Sequence, residues 1–417
     1  MARIAIVGTG ISGLSAAYLL HSGHEITVYE KAASIGGHSR TKYVRTPAGL
    51  IPVDTGFIVF NYRNYPELCG LFKHLNVTVQ KSDMSFGVSA QNGTLEWSAQ
   101  TVASLFGQRS NLLKPRFYRM LIDILRFNRG ARRLVRENSE LTMGGLIARM
   151  RLSDWFQDYY ILPMGAAIWS CPLTAILEFP ARTFIDFFDA HGLLTVTDQP
   201  QWHTVTGGSE VYVKALTKPF DHRIRTSSAV TSVTRNSGKV QVTDAQGMQE
   251  YDHVIFACHA DETLKLLADP SREESETLGA FTYQRNMAYL HSDTEIMPKR
   301  RKCWASWVYH AEADAPRDLI SVTYWMNQLQ DIDHSTPVFV TLNPLRPIRE
   351  DLIHDKHLFE HPVYTTQSVA AQQQLPTLQG KRNSWFCGAY HRSGFHEDGL
   401  VSGMNVAWAL GAQIPWH

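Results

Sequence analysis

Arg3-Ile4-Ala5-Ile6-Val7 runs straight into Gly8-Thr9-Gly10-Ile11-Ser12-Gly13, and Leu14-Ser15-Ala16-Ala17-Tyr18-Leu19-Leu20 follows. The first five residues read as a buried strand, a short apolar run closed by glycine. The last seven read as a helix. A second strand, Ile26-Thr27-Val28-Tyr29, then ends in Glu30. Each glycine has its own task in such a unit. Gly8 permits the tight turn, Gly10 lets backbone approach a pyrophosphate, and Gly13 lets the helix lie close to the strand. The helix start offers unpaired N–H groups and the positive end of a dipole to the phosphates. Glu30 stands where an acid accepts hydrogen bonds from a ribose. Strand, turn, helix, strand and acid in this order predict a dinucleotide-binding fold.

Six residues after Glu30 comes Gly36-Gly37-His38-Ser39-Arg40-Thr41, and Val53-Asp54-Thr55-Gly56-Phe57 follows. The paired glycine brings backbone close to the cofactor a second time, with Arg40 or His38 facing its phosphates. A nicotinamide dinucleotide has no general need of this second loop, although composition and periodicity alone leave NAD open. The segment resembles the FAD-binding signature of the flavin amine oxidase and phytoene desaturase superfamily: GxGxxG, an acid, then GGxxxT. The resemblance implies FAD as cofactor. It also implies an α/β fold, with a discontinuous Rossmann-like FAD-binding lobe and an α+β substrate lobe. The contacts it implies come from Gly8, Gly10, Ile11, Ser12, Gly13, Glu30, Lys31, Gly36, Gly37, His38, Arg40, Thr41, Thr55, Gly56 and Val230, and near the C-terminus from Gly388, Leu400 and Ser402. Relatives often place an acid after the strand-ending glycine to bind the ribityl chain. Here that place reads Gly388-Ala389-Tyr390, and Glu397 or Asp398 is the substitute. The final helix, opening around Gly399, would aim its N-terminus at the flavin's pyrimidine end, where reduction builds negative charge.

A closer resemblance spans nearly the whole chain. Asp54-Thr55-Gly56-Phe57-Ile58-Val59-Phe60-Asn61, Ser82-Asp83-Met84-Ser85-Phe86 and Gly394-Phe395-His396-Glu397-Asp398-Gly399-Leu400 are similar to the signatures of one bacterial group of FAD-binding proteins. A similar unit stands at the N-terminus of plant cyclopropane fatty-acid synthases. Bacterial members are often associated with methyltransferases that act on phospholipid acyl chains, and some resemble desaturases of furan-fatty-acid pathways. The likeness implies dehydrogenation of a methylated or unsaturated acyl chain, and a lipid methyltransferase as partner. An amine oxidase, a carotenoid-type desaturase and a non-catalytic FAD-bearing partner of the methyltransferase are the alternatives. No residue is singled out as the catalytic base.

The rest of the 417 residues is organised around these loops. Residues 1–60, 203–265 and 380–417 are expected to form the FAD-binding lobe. Residues 61–202 and 266–379 are expected to form the substrate lobe, the first part being mostly helical and carrying Trp97, Trp155 and Trp169. Thr206-Gly207-Gly208-Ser209 reads as a turn before a short helix, and Asn236-Ser237-Gly238 as a hairpin turn. Residues 280–345 alternate, as an antiparallel sheet does. Trp304, Trp307 and Trp325 there would line either a core or an apolar substrate tunnel.

With 44% hydrophobic and 19% charged residues and a net charge of +1, the chain carries no field that argues for nucleic acid. Its five cysteines are widely spaced, as free thiols in a reducing compartment are. The chain opens on a nucleotide-binding strand, and no apolar run is long enough to span a bilayer. The expectation is a cytoplasmic protein, peripheral on the inner membrane face. Residues 105–136 hold nine Arg or Lys and one acid, Asp123. Phe117, Leu121, Ile124 and Leu125 fall between them, so a basic amphipathic helix within 112–136 is expected to lie on an anionic membrane surface. His354, His357 and His361 would share one helical face, but Pro362 and the lack of a nearby Cys disfavour a metal. Cys258-His259 ends an expected strand, where packing outweighs a nucleophilic role. Gly207-Gly208-Ser209 lacks the GxSxG elbow of hydrolases.

Overall fold

Five parallel strands carry the nucleotide-binding loops at their C-terminal ends. Their order is Ile224–Arg225, Glu25–Tyr29, Arg3–Val7, His253–Phe256 and Ser384–Phe386. Ile4, Ala5 and Ile6 are fully buried, as expected of a parallel strand covered on both faces. The helices Ile11–Leu20 and His396–Ala409 pack against each other so closely that a Cβ at Gly403 would stand 2.2 Å from the Ser12 carbonyl oxygen. The computed structural model describes all residues except 48, 139, 196–198, 237 and 313–319. Ser237 of the expected hairpin turn lies outside the described residues. The flanking strands Ser232–Asn236 and Lys239–Asp244 pair antiparallel.

A second sheet of seven strands stands beside the first. Its order is Ile353–Val363, Thr282–His291, Phe339–Leu342, Ser321–Trp325, Trp307–Ala311, Phe86–Ala90 and Leu95–Ser98, and only the Trp307–Ala311/Phe86–Ala90 pair is parallel. Helices between residues 102 and 190 cover one face. Trp97, Phe117, Phe127, Phe156, Phe184 and Tyr324 share a single core between helices and sheet.

Residues 61–200 are mostly helical, as expected, with Trp97 in a strand, paired with Val88. Three expectations are corrected. Tyr65, Leu68, Leu71 and Phe72 pack with Ile4, Leu14 and Leu400, so residues just after 61 belong to the nucleotide-lobe core. His354, His357 and His361 lie on the strand Ile353–Val363, where alternate side chains face opposite ways; the common helical face does not exist. The basic helix does form, as Pro115–Glu137, but Phe117 is fully buried and Leu121 and Ile124 pack on the core. Arg126 is bonded to buried Asp123 and to the Met150 carbonyl, and Arg133 lies near Glu137. A helix with one apolar stripe normally turns that stripe inward, and this one does.

Candidate flavin site

The crevice opens where two glycine loops meet above the parallel sheet. Gly8 has φ +112°, and a Cβ there would lie 2.6 Å from the Ala257 carbonyl oxygen. A Cβ at Gly13 would lie 2.1 Å from the Gly8 carbonyl oxygen. Both positions are closed by the protein's own backbone. Gly10 differs. A Cβ built there meets nothing within 4 Å, so its outer side faces open space. The second loop comes up against it: Gly36 N–H donates to the Thr9 carbonyl at 3.1 Å, and a Cβ at Gly37 would lie 3.0 Å from the Gly10 Cα. The helix Ile11–Leu20 starts here with no side-chain cap, leaving its first N–H groups for an anion.

Glu30 is fixed at the end of its strand. Oε2 accepts from the Thr9 N–H at 3.1 Å and from the Thr9 hydroxyl, and Oε1 accepts from the Ala32 N–H at 2.8 Å. A carboxylate has about four acceptor positions, which leaves capacity for a ribose hydroxyl. Lys31, the next residue, pairs with Glu262. Val230 is buried and packs in the cluster that holds Val7 and Tyr29.

The second loop's side chains are largely engaged by the protein itself. Arg40 forms a two-pronged ion pair with Asp355, at 2.7 and 3.2 Å, and also reaches the Thr55 hydroxyl at 3.1 Å. Its guanidinium is thereby tied to the substrate-lobe sheet. The Thr41 hydroxyl donates to buried Asp54 at 2.6 Å. Gly56 passes under His38, where a Cβ would lie 2.2 Å from the His38 carbonyl oxygen. His38 packs its ring on Phe359 and His361.

At the other end, the Gly388 N–H donates to the Ser402 hydroxyl at 2.8 Å, and Leu400 is buried against the first helix. Glu397 and Asp398 have tasks other than the ribityl role expected of one of them. Glu397 accepts from the N–H groups of Glu67 and Leu68, both at 2.9 Å, and so caps the helix Pro66–His74. Asp398 accepts from the N–H groups of Ser393 and Phe395 at 3.1 and 3.0 Å. Burial raises both carboxyls, Glu397 to about 7.

Sequence reasoning missed three features. Asp54 accepts from the Ser209 N–H and hydroxyl and from Gln330, tying the second glycine loop to the Gly207-Gly208 turn and to the substrate lobe. An Asp after a strand and a Gly-Gly-Ser turn are its only traces in the sequence, 155 residues apart. A wall of aromatic rings is the second feature. Trp169 lies 4.7 Å from Phe179, 5.2 Å from Phe184 and 4.9 Å from Phe187 between ring centroids. Phe187 stacks on Phe395 at 4.7 Å, and the Trp169 indole N–H donates to the Ser393 carbonyl at 3.1 Å. The wall therefore rests on the loop that leads into the final helix. The buried Tyr364 hydroxyl in this region has no partner among the described residues. The third feature is a group of uncharged histidines. Burial lowers His361 and His191 to about 4 and His396 to about 3, and places His38 well below its ordinary value. The Cys258 thiol touches the Thr263 hydroxyl, and burial pushes it up to about 12, so it supplies no thiolate.

Residues 11–306 match the flavin containing amine oxidoreductase family. The chain belongs to this family. FAD is its cofactor, and the crevice offers what that group needs: open space at Gly10, an uncapped helix start and a ribose-facing acid. A curated relative from Mycobacterium tuberculosis, provisionally named flavin-containing monoamine oxidase AofH, is 25% identical over 283 residues; the match covers 64% of this chain and 59% of the relative. The chain thus spans well under two thirds of that relative's length. Among solved structures, a CLA-producing fatty acid isomerase from P. acnes superposes with TM-score 0.68 at 15% identity, over 99% of both chains. Cyclohexylamine oxidase from Brevibacterium oxydans superposes with TM-score 0.65 at 14% identity, over 98% of both. These likenesses establish the shared α/β fold. Among the described residues, no group of three or more His, Cys, Asp or Glu is placed to hold a metal, and no helix is long and apolar enough to cross a membrane.

Proposed function

We propose that the protein is an FAD-dependent oxidoreductase that dehydrogenates an apolar substrate, a methylated or unsaturated acyl chain of a phospholipid. The aromatic wall of Trp169, Phe179, Phe184, Phe187 and Phe395 carries this reading. It is a buried, apolar cluster, its neighbouring histidines are uncharged, and Glu397 and Asp398 are taken by backbone N–H groups. An amine substrate would be favoured by an aromatic cage or a nearby carboxylate, and an acyl chain by a dry apolar lining; with the nearby carboxylates engaged, the cluster supports the acyl chain.

When bound, the flavin supplies a two-electron acceptor for a hydride. Two neighbouring C–H bonds of the chain break and one C=C bond forms. One hydrogen would leave with both electrons, and the other as a proton to a base or bound water. The protein's own residues orient and exclude. Trp169, held by the Ser393 carbonyl, keeps the wall on the final helix's approach loop. The Asn286 amide donates to His361 Nδ1 at 3.0 Å, and Asn343 donates to Asn286 at 2.8 Å, so the His361 ring is fixed beside His38. The amine-oxidase reading is favoured by the name of the Mycobacterium tuberculosis relative.

Anaerobic mixing of the flavin-loaded protein with phospholipids and with amines separates these readings. Bleaching by unsaturated or methylated phospholipid, with a product lighter by two hydrogens, is expected. Bleaching by amines alone would overturn the proposal in favour of the amine-oxidase reading. Bleaching by neither would leave a non-catalytic flavoprotein.

A further inference from the structure

The outward stripe of the helix Pro115–Glu137 runs through Tyr118, Ile122, Leu125 and Arg129, one step per turn. Its first three members are exposed apolar side chains. They continue into Leu112 and Leu113, the latter 86% exposed, and the Tyr118 hydroxyl donates to the Leu112 carbonyl at 3.1 Å. Val102, on the short helix Val102–Leu105, is 76% exposed. Together these side chains form an apolar ridge that the fold leaves uncovered.

Cations flank the ridge. A hollow of about 510 Å³ behind it is lined by Arg109, Arg300, Arg301 and Lys302. A neighbouring hollow of about 340 Å³ shares Arg301 and Lys302 and is backed by Trp304 and Trp325. Arg300 is committed to buried Glu96 at 2.8 Å, and Arg301 lies over the Trp304 ring at 3.6 Å. Arg109, Arg116 and Lys302 have no carboxylate partner among the described residues. An apolar ridge beside unpaired cations complements an anionic bilayer, whose phosphates meet the cations while the ridge enters the acyl boundary.

We infer that this face docks the protein on anionic phospholipid bilayers, with the hollow at Arg109 and Lys302 taking lipid phosphate. The docking residues differ from those that the charge pattern suggested, because Phe117, Leu121 and Ile124 face inward and Arg126 and Arg133 have acidic neighbours.

Co-sedimentation of the flavin-loaded protein with phosphatidylcholine vesicles, with and without phosphatidylglycerol, tests the inference. Wild type is expected to sediment with the mixed vesicles only, and less as salt shortens the Debye length from about 10 Å at 0.1 M to about 3 Å at 1 M. Arg109→Glu/Lys302→Glu should lower the partition coefficient by about tenfold or more at low salt. Leu113→Asp/Ile122→Asp should lower it at every salt concentration. Arg272→Glu, an exposed arginine elsewhere, is the charge control and should bind as wild type does. All four sites are on the surface, and an unchanged flavin spectrum confirms each fold. Absence of wild-type binding, equal binding to phosphatidylcholine alone, or face variants that bind like wild type would each overturn it. The test is independent of the substrate reading, since bleaching by detergent-dispersed lipid can succeed or fail whatever the vesicles show.

Discussion

Glu397 provides the most discriminating perturbation of the site's architecture. Its two oxygens each hold one backbone N–H of the helix Pro66–His74, while burial and the nearby Glu67 and Asp398 charges raise its carboxyl from 4.5 to about 7. A raised carboxyl means that the folded state holds a proton the unfolded chain releases. Its contribution to stability is therefore fully present below pH 4.5 and is lost as pH rises through about 7. At about 1.4 kcal/mol per pH unit, the displacement amounts to about 3 kcal/mol. Glu397→Gln cannot ionise. It also points an NH2 at one of the two N–H groups, which costs about 1–3 kcal/mol at any pH. The gap between wild type and variant should thus be widest near pH 5 and shrink by up to about 3 kcal/mol by pH 8. Asp54 titrates in both proteins and cancels in the difference. Urea unfolding of both proteins across this range, followed by tryptophan fluorescence, measures it, and released flavin reports the cofactor. Because the carboxylate caps a helix, FAD content should be equal in the two. A gap that does not change with pH, or selective loss of FAD from the variant, would refute the reasoning and return Glu397 to the ribityl role.

Other outcomes follow from the same geometry. Gly13→Ala drives a methyl to within 2.1 Å of the Gly8 carbonyl oxygen, backbone against backbone, and should give a protein that is insoluble or several kcal/mol less stable, read as soluble yield and melting temperature. Cys258→Ala should leave turnover and flavin content unchanged, because a thiol pushed up to about 12 takes no part in chemistry at neutral pH; a large loss of turnover would reopen the nucleophile reading. Trp169→Ala removes the ring at the centre of the aromatic wall and its bond to Ser393. Turnover of the acyl substrate should fall by about a hundredfold while FAD binding holds.

How much of this was legible in the sequence depends on the range of the interaction. The glycine loops could be read because each glycine answers a local backbone need: the turn at Gly8, the contact at Gly13, the opening at Gly10. The strands Arg3–Val7 and Glu25–Tyr29 could be read because buried parallel strands are continuous apolar runs. The histidines at 354, 357 and 361 misled because spacing alone does not distinguish a helical face from a strand whose residues alternate. The basic helix was legible as a helix, but its apolar residues could not reveal which of them faced the core and which the solvent. The Asp54–Ser209 bond and the Trp169–Phe395 wall join segments more than 150 residues apart, and no local pattern encodes such pairs.

Gly10→Leu tests the central claim most directly. Gly10 has φ −67°, which any residue adopts, and a Cβ there meets nothing, so the chain itself tolerates the substitution. The space it fills is the space assigned to the pyrophosphate of FAD. Purified wild type should release stoichiometric, non-covalent flavin on denaturation. The Gly10→Leu protein should be folded, with an unchanged far-ultraviolet spectrum, and nearly free of flavin. A folded Gly10→Leu protein carrying wild-type flavin would contradict the assignment of this crevice.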